Sequence, residues 1–102
     1  MRRGEVWWAE VGGKQRPVLV LTRTEVIDVR RLVTVAEITT TIRGLAVEVP
    51  IGTDEADLPQ ESVVNCDGLH TIRRSSLARH AGYLNASTMH DVCGAIGDAL
   101  AC

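Results

Sequence analysis

Several common function classes are excluded by what the chain has little of. Its aromatic side chains are Trp7, Trp8 and Tyr83, with no phenylalanine, so a core must rest on Val, Leu, Ile and Ala. Its three cysteines, Cys66, Cys93 and Cys102, are odd in number and have no CxxC spacing. That pattern fits a reducing, cytoplasmic compartment better than a disulfide framework. Cys66, Asp67, His70, His80, His90, Cys93 and Cys102 show no structural-zinc spacing, so no metal and no cofactor is expected. There is no GxSxG nucleophile elbow, and Gly12-Gly13-Lys14 lacks the longer pattern of a phosphate loop. No stretch is long and apolar enough to span a bilayer, and Arg2-Arg3 leads into a strand-like segment rather than a signal sequence. Neither sign of charge dominates: 11 Lys and Arg face 13 Asp and Glu, for a net charge of −2. A general nucleic-acid coat protein would be strongly basic, whereas a small local RNA site remains compatible with this balance.

What is present suits one domain over residues 1–102, with apolar residues at 45%. Gly4-Glu5-Val6-Trp7-Trp8-Ala9-Glu10-Val11, then Gly12-Gly13-Lys14-Gln15, then Arg16-Pro17-Val18-Leu19-Val20-Leu21-Thr22 reads as strand, tight loop, strand. The paired glycines supply the positive-φ positions of a short hairpin. Pro17 biases Arg16 toward extended backbone and suits the first residue of a strand. Arg16 is thereby placed at the rim of a sheet, where a planar guanidinium fork fits a phosphate. Alternation puts Val6 and Trp8 on one face of the first strand and Trp7 on the other, with one tryptophan expected in the core and one outside it.

Further along, residues 25–31 read as a loop and Leu32 to Thr39 as a β-branched strand. Arg43-Gly44 marks a turn, Leu45 to Val49 a strand closed by Pro50, and residues 52–60 an acidic loop. Ser62 to Asp67 reads as a strand that ends in an Asp67-Gly68 turn, with a short strand over Leu69–Arg73 beyond it. A helical turn is expected over residues 75–79 and a last strand over 80–84. From Asn85 the period changes. Met89, Val92, Cys93, Ile96 and Leu100 recur at helical spacing, with Asn85 or Ser87 as cap. Gly94 and Gly97 inside this helix suggest close backbone packing, against the sheet or a second copy of the chain. Short strands followed by one helix indicate a mainly β fold, a small bent sheet or barrel with a C-terminal helix.

One chemistry survives the exclusions. Breaking an RNA phosphodiester needs a base for the 2′-hydroxyl proton, an acid for the leaving oxygen, and donors that hold the charged phosphorane. Strand ends supply Arg16, Thr39 and Asp67, with His70 close by in sequence. Residue types alone leave this as one of several groupings.

Taken together, Arg3-Gly-Glu-Val-Trp-Trp, Gln15-Arg16-Pro17-Val-Leu-Val-Leu, Ile38-Thr39-Thr40-Thr41, Ser62-Val63-Val64-Asn65-Cys66-Asp67 with His70-Thr71-Ile72, and the helix after Leu84-Asn85 resemble the MazF/PemK/Kid toxins of bacterial toxin–antitoxin modules. The segments come in the family's order and cover nearly the whole chain. The resemblance implies an SH3-like β-barrel, a homodimer in the bacterial cytoplasm, and metal-independent, sequence-specific cleavage of single-stranded RNA. The products would be a 2′,3′-cyclic phosphate and a 5′-hydroxyl, and a cognate antitoxin would fold a disordered tail onto the toxin. Arg16 falls on the family's catalytic arginine and Thr39 on its catalytic threonine. Asp67 matches an acidic position with a supporting catalytic role. Lys14, Gln15, Thr40, Thr41, Arg43, Asn65 and His70 are then the RNA-binding candidates. Two departures stand out: the loop before Arg16 is short and has no histidine, and His70 stands where relatives carry an arginine. The alternative on the same fold is a non-catalytic toxin, either a CcdB-like gyrase inhibitor or a degenerate RNA-binding module.

Overall fold

A computed structural model describes residues 1–102. The strands are β1 (Glu5–Val11), β2 (Lys14–Val20), β3 (Leu32–Thr39), β4 (Glu48–Ile51), β5 (Ser62–Arg73) and β6 (Leu77–Tyr83). The helices are a single turn, α1 (Thr24–Ile27), and α2 (Ala86–Ala99). All six strands form one antiparallel sheet in the order β4-β5-β3-β2-β1-β6.

The hairpin is tighter than the sequence suggests. Gly12 and Gly13 have φ of 60° and 78°, the signature of a two-residue turn, and β2 starts at Lys14. Arg16 therefore lies inside β2, opposite Ala9, not in the loop corner. Pro17 follows inside the strand, one residue before the β2–β3 ladder begins at Val18, where its missing N–H interrupts no β3 bond.

The sheet bends enough to bring its edges together without closing. The segment after β4 crosses to β6, where Ala56 pairs with Gly82 and Asp57 N–H donates to Ala81 O at 2.6 Å. Gly82 has a φ of 138°, and a Cβ there would sit 3.0 Å from Ala56 Cα, so this clasp requires glycine.

Both faces of the bent sheet bury apolar side chains. On one, Val6, Leu19, Ala36, Ile38, Val64 and Cys66 pack beneath α2. On the other, Ala9, Val18, Val20, Val33, Val35 and Leu77 gather around Ile27 of α1. This double core corrects the expectation for the tryptophans. Both are half-buried, Trp8 against the α2-side cluster and Trp7 against the other. Arg79 stacks over Trp8, 5.3 Å from the ring centroid.

Four more expectations shift. Residues 24–27 form the turn of α1 rather than a loop, and its Ile27 is fully buried. The fourth strand runs Glu48–Ile51 and contains Pro50, which an edge strand tolerates. The helical turn is a 3-10 turn at Arg74–Ser76, so β6 starts at Leu77. Residues 62–73 are one strand, without a turn at Asp67-Gly68. Ala36 pairs with Leu69 while the next residue, Glu37, pairs with Asn65. Cys66, Asp67 and Gly68 thus form a bulge in β5. An odd number of extra residues reverses the side-chain alternation. Leu69 and Cys66 both serve the α2-side cluster, whereas Asn65 turns to the other face beside Glu37.

Helix α2 is capped as expected. The Asn85 side chain accepts a hydrogen bond from Thr88 N–H at 2.8 Å. Gly94 and Gly97 do not bring the helix close to the sheet: a Cβ at Gly94 would meet nothing within 4 Å, and one at Gly97 only Cys102 O at 3.7 Å. Arg3 ties the N-terminus down, with guanidinium bonds to Leu21 O and Cys93 Sγ.

Candidate active site

Strand β3 supports the core with its first half and the candidate site with its second. Val33 and Val35 fill the α1-side cluster, and the same alternation carries Glu37 and Thr39 onward along that face. Register brings neighbours to them. Glu37 lies opposite Val18 of β2 on one side and Asn65 of β5 on the other, and Asn65 in turn lies opposite Glu48 of β4. Arg16, two residues before Val18, projects on the same side.

These residues line a cleft of about 180 Å³ made of Arg16, Glu37, Thr39, Thr41, Arg43, Glu48 and Asn65. Its lining is wholly polar, with two arginines and two glutamates. A larger cleft of about 600 Å³, lined by Arg31, Leu32, Arg73, Arg74 and Ser75, lies at the other end of the β3–β5 pair. It holds neither a carboxylate nor an imidazole, so it lacks a group that could move a proton.

Glu37 is the hub. Its Oε1 lies 3.4 Å from Arg16 Nη1 and its Oε2 lies 3.5 Å from His70 Nε2. These are charge contacts, longer than good hydrogen bonds. Arg16 Nε and His70 Nε2 are shielded from solvent and have no hydrogen-bond partner, while each side chain as a whole stays more than a third exposed. Backbone reaches the hub as well. A Cβ at Gly68 would fall 2.6 Å from Glu37 Oε2 and 3.1 Å from Asn65 Nδ2, so the bulge packs against the carboxylate with no room for a side chain.

The other polar groups are committed to shape. Thr39 Oγ1 accepts from Thr41 N–H at 3.1 Å, which folds the chain back after β3 and leaves the Thr39 hydroxyl proton free to donate. Glu48 Oε1 accepts from Arg43 N–H at 2.9 Å and Leu45 N–H at 3.2 Å, bracing the loop that carries Thr41 and Arg43. Asn65 Oδ1 accepts from Asp67 N–H at 3.1 Å, shaping the bulge.

The structure thus gathers Arg16, Thr39, Thr41, Arg43 and Asn65, and brings His70 in through Glu37. Lys14, Gln15, Thr40 and Asp67 are exposed and stand outside the cleft lining. Sequence reasoning missed Glu37 and Glu48. The available signal for Glu37 was a carboxylate in the middle of a β-branched run, at the alternation shared by Val35 and Thr39. No group of three or more His, Cys, Asp or Glu side chains is placed to hold a metal ion.

The chain resembles known proteins over nearly its whole length. The sequence profile of the family described as "PemK-like, MazF-like toxin of type II toxin-antitoxin system" matches residues 2–100. The chain is 39% identical over 102 residues to the probable endoribonuclease MazF2 of Mycobacterium tuberculosis, covering 100% of both chains. It is 51% identical over 86 residues to the endoribonuclease MazF3 of that organism, covering 84% of this chain and 82% of the other. It superposes on the Mycobacterium tuberculosis toxin MazF-mt6 with a TM-score of 0.90 at 46% identity, over 95% of this chain and 96% of that one. It also superposes on a mycobacterial endoribonuclease in complex with its cognate antitoxin, with a TM-score of 0.89 at 25% identity, over 99% and 95% of the two chains.

Proposed function

The chain belongs to the PemK-like, MazF-like toxins of type II toxin–antitoxin systems, and from that membership we propose that it is an endoribonuclease cutting single-stranded RNA. The ribose 2′-hydroxyl attacks the adjacent phosphorus, the bond to the 5′-oxygen breaks, and the ends are a 2′,3′-cyclic phosphate and a 5′-hydroxyl. The observation that supports this most is the meeting of Arg16 and Thr39 in one polar cleft, with Arg43 beside them.

The roles follow from chemistry. Arg16 offers a fixed fork of N–H donors to the nonbridging phosphate oxygens, and its charge offsets the charge that builds on the phosphorane. Thr39 adds an O–H donor. Thr41, Arg43 and Asn65 contact the nucleotides at the cut, while Lys14, Gln15 and Thr40 meet the strand as it leaves the cleft. Asp67, exposed on the bulge, has a supporting role at the rim. Side chains supply every group this reaction needs, so cutting should persist in EDTA.

Two partners complete the reading. A cognate antitoxin neutralises the toxin by laying an acidic tail on it. A cleft of about 470 Å³ suits such a tail, with Leu21, Leu69, Ile96 and Leu100 as apolar lining and Arg3, Arg23 and Arg30 as basic flanks. The second partner is another copy of the chain, for which the open face of α2 at Gly94 is available. No helix is long and apolar enough to cross a membrane.

The test is incubation of the purified chain with long single-stranded RNA in EDTA, followed by sequencing of the ends. Defined cuts with cyclic phosphate ends, lost in Arg16→Ala and weakened in Thr39→Ala, are expected. Equal cutting by wild type and Arg16→Ala would overturn the assignment. Growth arrest that persists in Arg16→Ala would point to a non-catalytic toxin instead.

A further inference from the structure

We propose that Glu37 and His70 are the general base and general acid of the RNA cleavage, a pairing that rests on the endoribonuclease reading above. The reaction needs two proton carriers within reach of the phosphate, and few residues near the cleft qualify. Arginine holds its proton under all ordinary conditions, so Arg16 and Arg43 can stabilise charge but not shuttle protons. The Thr39 hydroxyl accepts from Thr41 N–H and can donate a hydrogen bond to the phosphate, but it does not give up its proton. Glu48 is fixed through Oε1 by two backbone N–H groups of the loop it braces and forms no ion pair with Arg16, the group that would hold the phosphate. Asp67 is exposed and forms no ion pair, whereas His70, also outside the cleft lining, reaches it through Glu37. Glu37 and His70 remain, and they face each other.

Their placement fits the two roles. Glu37 Oε1 stands 3.4 Å from the guanidinium that would hold the phosphate, and Oε2 stands 3.5 Å from His70 Nε2. Arg16 Nε and His70 Nε2 have no hydrogen-bond partner in this corner, so both stay uncommitted for an incoming phosphate once these partly exposed side chains turn toward the cleft.

The step balances. The Glu37 carboxylate takes the 2′-hydroxyl proton, and the 2′-oxygen forms its bond to phosphorus. Negative charge collects on the nonbridging oxygens facing Arg16. The bond from phosphorus to the 5′-oxygen then breaks. That oxygen leaves with the electron pair and takes a proton from the His70 imidazolium. Glu37 ends protonated and His70 neutral, and transfer of that proton from Oε2 to Nε2 resets both for the next turnover. Around Glu37, the charged groups are Arg16 of β2, Arg43 of the loop between β3 and β4, Glu48 of β4, and Asp67 and His70 of β5.

The experiment is a kcat/KM profile against pH, on an oligoribonucleotide spanning the cut site found by end sequencing. Wild type should give a bell. Glu37→Gln should lose the acid limb and His70→Gln the alkaline limb, each with a fall of about 100-fold or more at the optimum. A second substrate carries sulfur in place of the leaving 5′-oxygen. A thiolate leaves without a proton, so this substrate should restore cutting by His70→Gln but not by Glu37→Gln. Melting curves establish that both variants fold. If wild type cuts and both variants keep both limbs, or the sulfur substrate rescues both variants or neither, the pair is wrong while the endoribonuclease reading stands. If wild type leaves RNA intact, the endoribonuclease reading itself falls and takes the pair with it.

Discussion

Replacing Gly68 with alanine should separate activity from stability. The backbone of Gly68 is not in the positive-φ region, so alanine fits the strand without strain. Gly→Ala at a compatible site stabilises by about 0.4–1 kcal/mol, because the unfolded chain loses freedom. The new Cβ would start 2.6 Å from Glu37 Oε2, where ordinary contact begins near 3.4 Å. The carboxylate must retreat by about 0.8 Å, the difference between those distances. It is the free end of a flexible side chain and moves cheaply, but the new Cβ would also stand 3.1 Å from Asn65 Nδ2 and 3.3 Å from Glu37 Cβ, and the small adjustment these require offsets part of the gain. The carboxylate's contacts with Arg16 and His70 do not survive that move. A displacement of about 1 Å at a reacting group costs up to roughly 100-fold in rate. The expected outcome is a melting temperature equal to or a few degrees above wild type, with RNA cleavage down by about 10- to 100-fold. Thermal denaturation and initial cleavage rates on one preparation provide both readings. Wild-type cleavage by a well-folded Gly68→Ala chain would refute the claim that the position of the Glu37 carboxylate matters.

Asn85→Ala should lower stability by about 1 kcal/mol, since it removes the acceptor for Thr88 N–H at the start of α2, and melting should fall by about 4–8 °C. Alkaline pH should destabilise the chain through Cys66. Burial, with a smaller contribution from the Asp67 charge and then Cys93, raises its thiol from 9.0 to about 11. The folded state thus keeps a proton that the unfolded state gives up. This contribution to stability is intact below pH 9 and is lost progressively up to pH 11, by about 3 kcal/mol in all. Denaturant titrations at pH 8 and pH 10.5 should differ in that direction for wild type and much less for Cys66→Ala. In a thiol-reactive dye assay at neutral pH, exposed Cys93 and Cys102 should react quickly and buried Cys66 only on unfolding.

How much of this was legible in the sequence depended on whether the signal was local. The β-branched run from Leu32 to Thr39 gave β3 with both ends correct. The three- and four-residue spacing after Asn85 gave α2, and Asn85 proved to be its cap. Arg16, Thr39, Thr41, Arg43 and Asn65 were named from motifs and meet in one cleft. What was misread depended on pairing. Asp67-Gly68 has the chemistry of a turn, yet the ladder with β3 resumes at Leu69 and holds the segment within a strand. Glu37 looked like one charge in an apolar run, because its partners come from β2 and β5, 21 and 33 residues away in sequence. The place of β4 was set by its ladder with β5, so it began three residues later and ended two residues later than residue pattern alone suggested.

The three-residue bulge in β5 also governs how such a site can diverge. Removing one of its residues would reverse the alternation, turning Asn65 away from the cleft and Cys66 out of the core. Its length is therefore fixed by the fold. The identity of its middle residue is not, because Asp67 is exposed and supports neither cluster. Flanked by a core cysteine and a glycine pressed against Glu37, position 67 can change its side chain at almost no structural cost. A change at position 67 can therefore alter the chemistry at the rim of the cleft while the bulge and the residues it positions stay in place.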